Sequence, residues 1–128
     1  MSKRLILTVN VTTYPAQGVE GSLAGVVMIP FSAEAVGDYF TGRTIFNGTD
    51  TQLSKDGKFS LSARYLLEGT DCAGARCRLF IENVGTSLDS CTPTVITDSR
   101  ELAFLETAKL SSTVECVEKG VIVRIFAE

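Results

Sequence analysis

Apolar and polar residues alternate along most of the chain with a period of two. Leu5, Leu7, Val9 and Val11 interleave with Ile6, Thr8, Asn10 and Thr12, which predicts a strand with one apolar and one mixed face. Tyr14-Pro15 predicts its end, because proline has no N–H to give a ladder. Val19 to Ile29 reads as a second strand, bent at Gly18, Gly21 and Gly25 and stopped by Pro30. Ser32-Ala33-Glu34-Ala35 predicts one helical turn with Ser32 as its cap. Tyr39 to Phe46 is a third strand, followed by a turn at Asn47-Gly48.

The clearest hairpin joins Thr49–Ser54 to Lys58–Glu68 through Lys55-Asp56-Gly57, since Asp-Gly supplies the positive φ angles of a tight turn. In its second arm Phe59, Leu61, Ala63, Tyr65 and Leu67 share one face, while Ser60, Ser62, Arg64 and Leu66 share the other. After a turn over 69–74, Cys77–Val84 is a strand, with Cys77, Leu79 and Ile81 opposite Arg78, Phe80 and Glu82. A loop over 85–92 and a short strand over Thr94–Asp98 follow. Residues 99–110 carry two patterns. Leu102, Leu105 and Ala108 follow a three-residue step that suits a helix, yet strand alternation fits about as well. The reading leans to extended structure, then strands over Ser112–Glu118 and Gly120–Phe126. About eight to ten strands with short connections and no α/β alternation predict an all-β chain with little helix. The predicted architecture is a single antiparallel β-barrel, or a barrel-like sandwich, over residues 1–128.

Composition narrows the partners. A chain of 128 residues that is 45% hydrophobic can bury a core without staples. Its net charge of −3, with twelve scattered basic residues, argues against nucleic acid and against anionic membranes. The basic start, Lys3-Arg4, is followed by a segment that Thr8 and Asn10 interrupt, so it reads as a strand and predicts a cytoplasmic protein. No run reaches the ~18 apolar residues of a membrane helix. Cys72, Cys77, Cys91 and Cys116 match no zinc spacing and are expected to be free thiols, most of them buried. The absence of histidine removes Ser-His and Cys-His nucleophiles and every histidine-bearing metal site. The sequence predicts no metal site and no cofactor.

Five residues are candidates for a ligand site. Asp50 and Gln52 are two apart and share a strand face. Arg64 has a fork suited to an anionic group, or it is a solvent-facing or interface arginine. Tyr65 would line a wall. Glu82 is a base if buried, or an exposed partner for a neighbouring arginine. Glu82 and Asn83 point to opposite faces, so one of them at most enters a given pocket.

The segments Gly48-Thr49-Asp50-Thr51-Gln52, Asp56-Gly57, Ala63-Arg64-Tyr65, Ile81-Glu82-Asn83-Val84-Gly85 and Val121–Ile125 together resemble a bacterial family of uncharacterised small β-barrel proteins, the domain-of-unknown-function family 3237. The resemblance spans most of the chain. It implies a calycin-like barrel with a small-molecule cavity and implies no reaction. The family's Asp-x-Gln element falls on Asp50 and Gln52, and its strand tyrosine on Tyr65. Where the pattern has an aromatic residue between Asp and Gln, this chain has Thr51.

Three functions remain open at this point. The first is a small-molecule-binding barrel using Asp50, Gln52, Arg64, Tyr65 and Glu82, which needs a bulge or a rim site because Arg64 and Tyr65 are adjacent. The second is a histidine-free lyase, isomerase or cyclase with Glu82, Asp98 or Glu106 as base and Tyr65 or Arg64 as electrophile. The third is a structural subunit of a homodimer or higher homo-oligomer, its contact formed by Leu66, Phe80, Ile122 and Phe126.

Overall fold

The alternation of the sequence becomes the inside and outside of a barrel. A computed structural model describes residues 2–128. Among those residues it has ten strands, one short 3-10 helix and no α-helix. The strands are β1 Arg4–Thr13, β2 Gln17–Glu20, β3 Ala24–Val36, β4 Phe40–Thr44, β5 Gly48–Lys55, β6 Lys58–Asp71, β7 Arg76–Gly85, β8 Thr92–Thr97, β9 Leu110–Val117 and β10 Gly120–Ala127. All pairs are antiparallel, in the order β8-β7-β6-β4-β3-β1-β10-β9, with β5 between β3 and β6 and β2 against β3.

Two positions of this barrel are filled by broken strands. β4 and β5 lie end to end between β3 and β6, interrupted at Ile45-Phe46-Asn47. β1 and β2 likewise share one side of β3, interrupted at Tyr14-Pro15-Ala16. The ten strands therefore occupy eight positions around the barrel. That is the size whose interior is either just filled by side chains or holds one small ligand. β8 and β9 meet at the seam without a ladder. Side-chain bonds beside the seam tie β9 to β7 and to the residue before β8: Asn83 Nδ2 to Ser112 Oγ at 3.1 Å, and Ser112 Oγ to the Cys91 carbonyl at 3.3 Å.

The Asp56-Gly57 hairpin forms as its residues require, with φ of 54° and 72° at the two turn positions. Three local expectations are corrected. Val19–Ile29 is not one strand: the chain reverses at Gly21, whose N–H donates to the Ala24 carbonyl, and yields β2 and β3. Pro30 does not stop β3. Its carbonyl accepts from the Tyr14 N–H at 2.9 Å. Its missing N–H therefore faces the gap between the β1 ladder, which ends at Phe31, and the β2 ladder, which begins at Met28. Ser32–Ala35 is accordingly strand, paired to β1, and not a helical turn.

Residues 99–109 are not strand, and β9 begins at Leu110. Ser99 Oγ accepts the Leu102 N–H at 3.3 Å, and Ala103–Glu106 forms the 3-10 helix. Three residues per turn place Leu102 and Leu105 above one another, and both are buried. They plug one end of the barrel together with Ile6, Phe40, Leu67 and Leu79. A bulge between Leu5 and Leu7 turns both Ile6 and Leu7 inward there. The far half, between Phe31 and the Asp56-Gly57 hairpin, is not filled in this way.

On the outside, Leu66, Phe80 and Ile96 form one cross-strand row over β6, β7 and β8. Ile122 and Phe126 belong to β10, which lies between β1 and β9, so the four residues expected to form one apolar contact are split between two parts of the surface. No helix among the described residues is long and apolar enough to cross a membrane.

Candidate functional site

The unfilled half is a cavity of about 200 Å³. Its floor is aromatic. Gly48 stands between Phe31 and Tyr65 in register, and a Cβ there would meet Tyr65 Cβ at 2.7 Å and Phe31 Cζ at 2.8 Å. The missing side chain lets the two rings meet edge to face, centroids 5.3 Å apart. Burial pushes the Tyr65 phenol up, so it stays neutral.

The walls are the inward residues of the strand ends. Val11, Ile29, Leu61, Val114, Val121 and Val123 supply apolar surface, and Leu88 and Cys91 reach in from the loop between β7 and β8. Ala63 is the small residue at the centre of one wall. Register puts Asp50, Ala63 and Asn83 in a single row across β5, β6 and β7, all on the inner face. Gln52 follows Asp50 one step nearer the hairpin.

Asp50 is the unusual member. Gln52 Nε2 donates to its Oδ2 at 3.0 Å. Its Oδ1 is buried and has no hydrogen-bond partner. Among the described residues no Lys or Arg forms an ion pair with it. Burial therefore raises its pKa, and the Gln52 bond opposes the rise. Burial, with the Asp50 charge nearby, likewise pushes the Cys91 thiol up, so it is held protonated and is a poor nucleophile. Cys91 Sγ donates to the Ser87 carbonyl. Cys77 is buried elsewhere, while Cys72 and Cys116 are exposed; all four are free. No cluster of His, Cys, Asp and Glu among the described residues is arranged to hold a metal ion.

The five sequence candidates divide into two groups. Asp50, Gln52 and Tyr65 line the cavity. Arg64 and Glu82 project from the outer face and pair with each other, Arg64 Nε to Glu82 Oε2 at 2.7 Å, with the arginine side chain 69% exposed. Strand parity separates Arg64 from Tyr65, and no bulge or rim position reunites them. An anion clamp at Arg64 inside the barrel is thereby excluded. The other proposed bases are also outside: Asp98 Oδ1 accepts the Arg78 N–H at 2.8 Å, and Glu106 Oε2 accepts the Thr97 N–H at 3.1 Å. Asn83 and Cys91 are cavity residues that sequence reasoning did not select. Asn83 shares parity with Ile81, which signals its inward direction. Nothing in the sequence places the loop cysteine.

Fold and cavity together define a class: a small antiparallel β-barrel packed at one end and hollow at the other, with one acid in the hollow. Among solved structures, the chain is similar to a protein with unknown function from Clostridium acetobutylicum, at 19% identity and a TM-score of 0.77, with 99% of each chain covered. It is similar to a beta-barrel like protein from Acinetobacter baumannii, at 18% identity and a TM-score of 0.71, over 98% of this chain and 94% of that one. It is also similar to an enzyme from Penicillium herquei, at 18% identity and a TM-score of 0.76, over 99% of this chain and 94% of that one. At these identities the likeness is one of fold. No protein-family model and no curated protein matches the chain.

Proposed function

We propose that the protein binds a small, mostly apolar molecule inside the open half of the barrel, with Asp50 and Gln52 as its polar anchor. The observation that carries this reading is Asp50 itself: a carboxyl group in an apolar cavity with one buried oxygen unpaired. An unpaired buried acceptor costs about 1–3 kcal/mol. Plain packing would be better served by an apolar residue, as at the other end of the barrel. Membership of the domain-of-unknown-function family 3237 is part of the same proposal and is supported by the Asp50, Gln52 and Tyr65 positions in the cavity. The test is protein-observed NMR with a library of one- and two-ring fragments. Binding fragments should shift the amides of Asp50, Gln52, Tyr65 and Asn83. Shifts confined to the outer face would reject the site.

A second reading is favoured by the same carboxyl group. With its pKa raised and Gln52 orienting it, Asp50 is suited to act as general base or acid toward a bound substrate. It replaces Glu82, Asp98 and Glu106 in that role. A similar barrel being called an enzyme is compatible with this reading. For self-association, the Leu66–Phe80–Ile96 row, with Ile96 60% exposed, supports a homo-oligomer. Sedimentation at micromolar concentration should give a species heavier than the 13.7 kDa chain; a pure monomer would reject it.

A further inference from the structure

Resting on the reading of the cavity as a ligand site, we infer the chemical class of the ligand: a small amine, about one ring in size, whose protonated nitrogen is received by Asp50. Asp50 is the only acid among the residues lining the cavity, and no Lys or Arg lines it. The ion pairs of the described residues that involve Arg64, Arg76, Arg78, Lys109 and Arg124 all use partners other than Asp50. A ligand carboxylate or phosphate would thus meet a like charge in a poorly solvated space with no cation to offset it. A neutral ligand could fill the apolar volume but would leave the charge of Asp50 uncompensated. An ammonium group compensates it and brings up to three N–H donors.

The surroundings suit that group beyond its charge. Gln52 gives its amide nitrogen to Asp50, which leaves its carbonyl oxygen as a second acceptor beside the carboxylate. Phe31 and Tyr65 line the same space and supply aromatic surface for the ring of the ligand. The Tyr65 phenol and the Cys91 thiol, the other titratable groups in the lining, both stay neutral and do not compete for the charge. Size sets the body of the ligand. The cavity holds about 200 Å³, against the ~150 Å³ of an engineered apolar cavity that takes up benzene. One ring with a short tail fits.

Three probes of nearly one shape separate the alternatives: 2-phenylethylamine, 2-phenylethanol and 3-phenylpropionate, titrated at pH 7 by NMR and calorimetry into the full chain. The amine should bind at least tenfold more tightly than the alcohol, and the propionate should not bind. In Asp50→Asn, an isosteric change, the amine should lose its advantage, and amine and alcohol should bind within about twofold of each other. Alcohol or propionate binding as tightly as the amine to the wild-type chain would overturn the amine assignment and leave the cavity as a ligand site. Amine affinity unaffected by Asp50→Asn would do the same. If none of the three bound at millimolar concentration, and no fragment shifted the cavity amides, the ligand-site reading itself would fall with it.

Discussion

At the scale of single residues, the two carboxyl groups Asp50 and Asp71 show how position decides what a charge does. Asp71 Oδ1 accepts the N–H groups of Ala73 and Ala75 at 3.0 and 3.1 Å, and Oδ2 accepts Ser99 Oγ at 2.6 Å. These bonds, the Ser99 one foremost, hold its pKa below the ordinary carboxylate value. Its stabilising effect is present above that ordinary value and is lost as the pH falls through the folded one. Asp50 runs the other way. Its folded pKa is raised, so the folded state holds the proton longer than the unfolded chain, and stability declines as the pH rises through the folded value. Asp50→Asn is therefore expected to raise stability at pH 7, because it removes the charge that burial penalises. The gain should vanish below the usual carboxylate range. Urea midpoints across that pH interval check both sign and window. Arg64→Ala should cost only ~0.2–1 kcal/mol, as an exposed pair does, and leave ligand binding intact. A large loss of binding would return Arg64 to the site. The assignment of Arg64 and Tyr65 to opposite faces was readable from parity, but which face was the inside was not: it depends on burial by strands far away in sequence.

At the scale of elements, what was legible was what local chemistry decides. Asp56-Gly57 forms its two-residue turn from its own φ preferences. A period of two alone puts Leu61, Tyr65 and Leu67 on one face and Cys77, Leu79 and Ile81 on one face, and the fold buries both sets. The misread segments are those whose conformation is set by a partner. Pro30 stays in a strand because of where β1 and β2 part company, a relation that no window around Pro30 contains. The stretch Leu102–Ala108 carried its three-residue step openly, and the 3-10 helix uses it, but extended structure competed on equal terms. Gly48 is the element-scale test of the cavity floor. Gly48→Ala puts a Cβ 2.6 Å from the Arg64 carbonyl oxygen as well as against Tyr65 Cβ and the Phe31 ring, and the backbone there cannot yield cheaply. The expected cost is about 1–3 kcal/mol, as for overpacking, with a changed near-ultraviolet signal from Tyr65. A variant as stable as wild type would show that Phe31 and Tyr65 are not locked across Gly48.

At the scale of the whole molecule, the barrel is asymmetric along its axis. Buried side chains fill the end at the 3-10 helix, and the same strands leave their opposite ends lining empty space. Burial sorts the thiols: native protein should react quickly at Cys72 and Cys116 and slowly at Cys77 and Cys91. Unfolding without reductant should expose four. Fewer than two fast thiols, or fewer than four in total, would contradict the arrangement.

The asymmetry also yields the most direct test of the central claim, that the hollow end is a binding site. Ala63 lies between Asp50 and Asn83 on the cavity wall, on the face opposite the outer ion pair of Arg64 and Glu82. Ala63→Leu fills the space beside Asp50 and Asn83 while both polar side chains are retained. Calorimetric titration of a fragment bound by the wild-type chain should show its affinity for Ala63→Leu reduced more than tenfold, while the urea midpoint stays equal or rises. Undiminished binding to this filled variant would contradict the account.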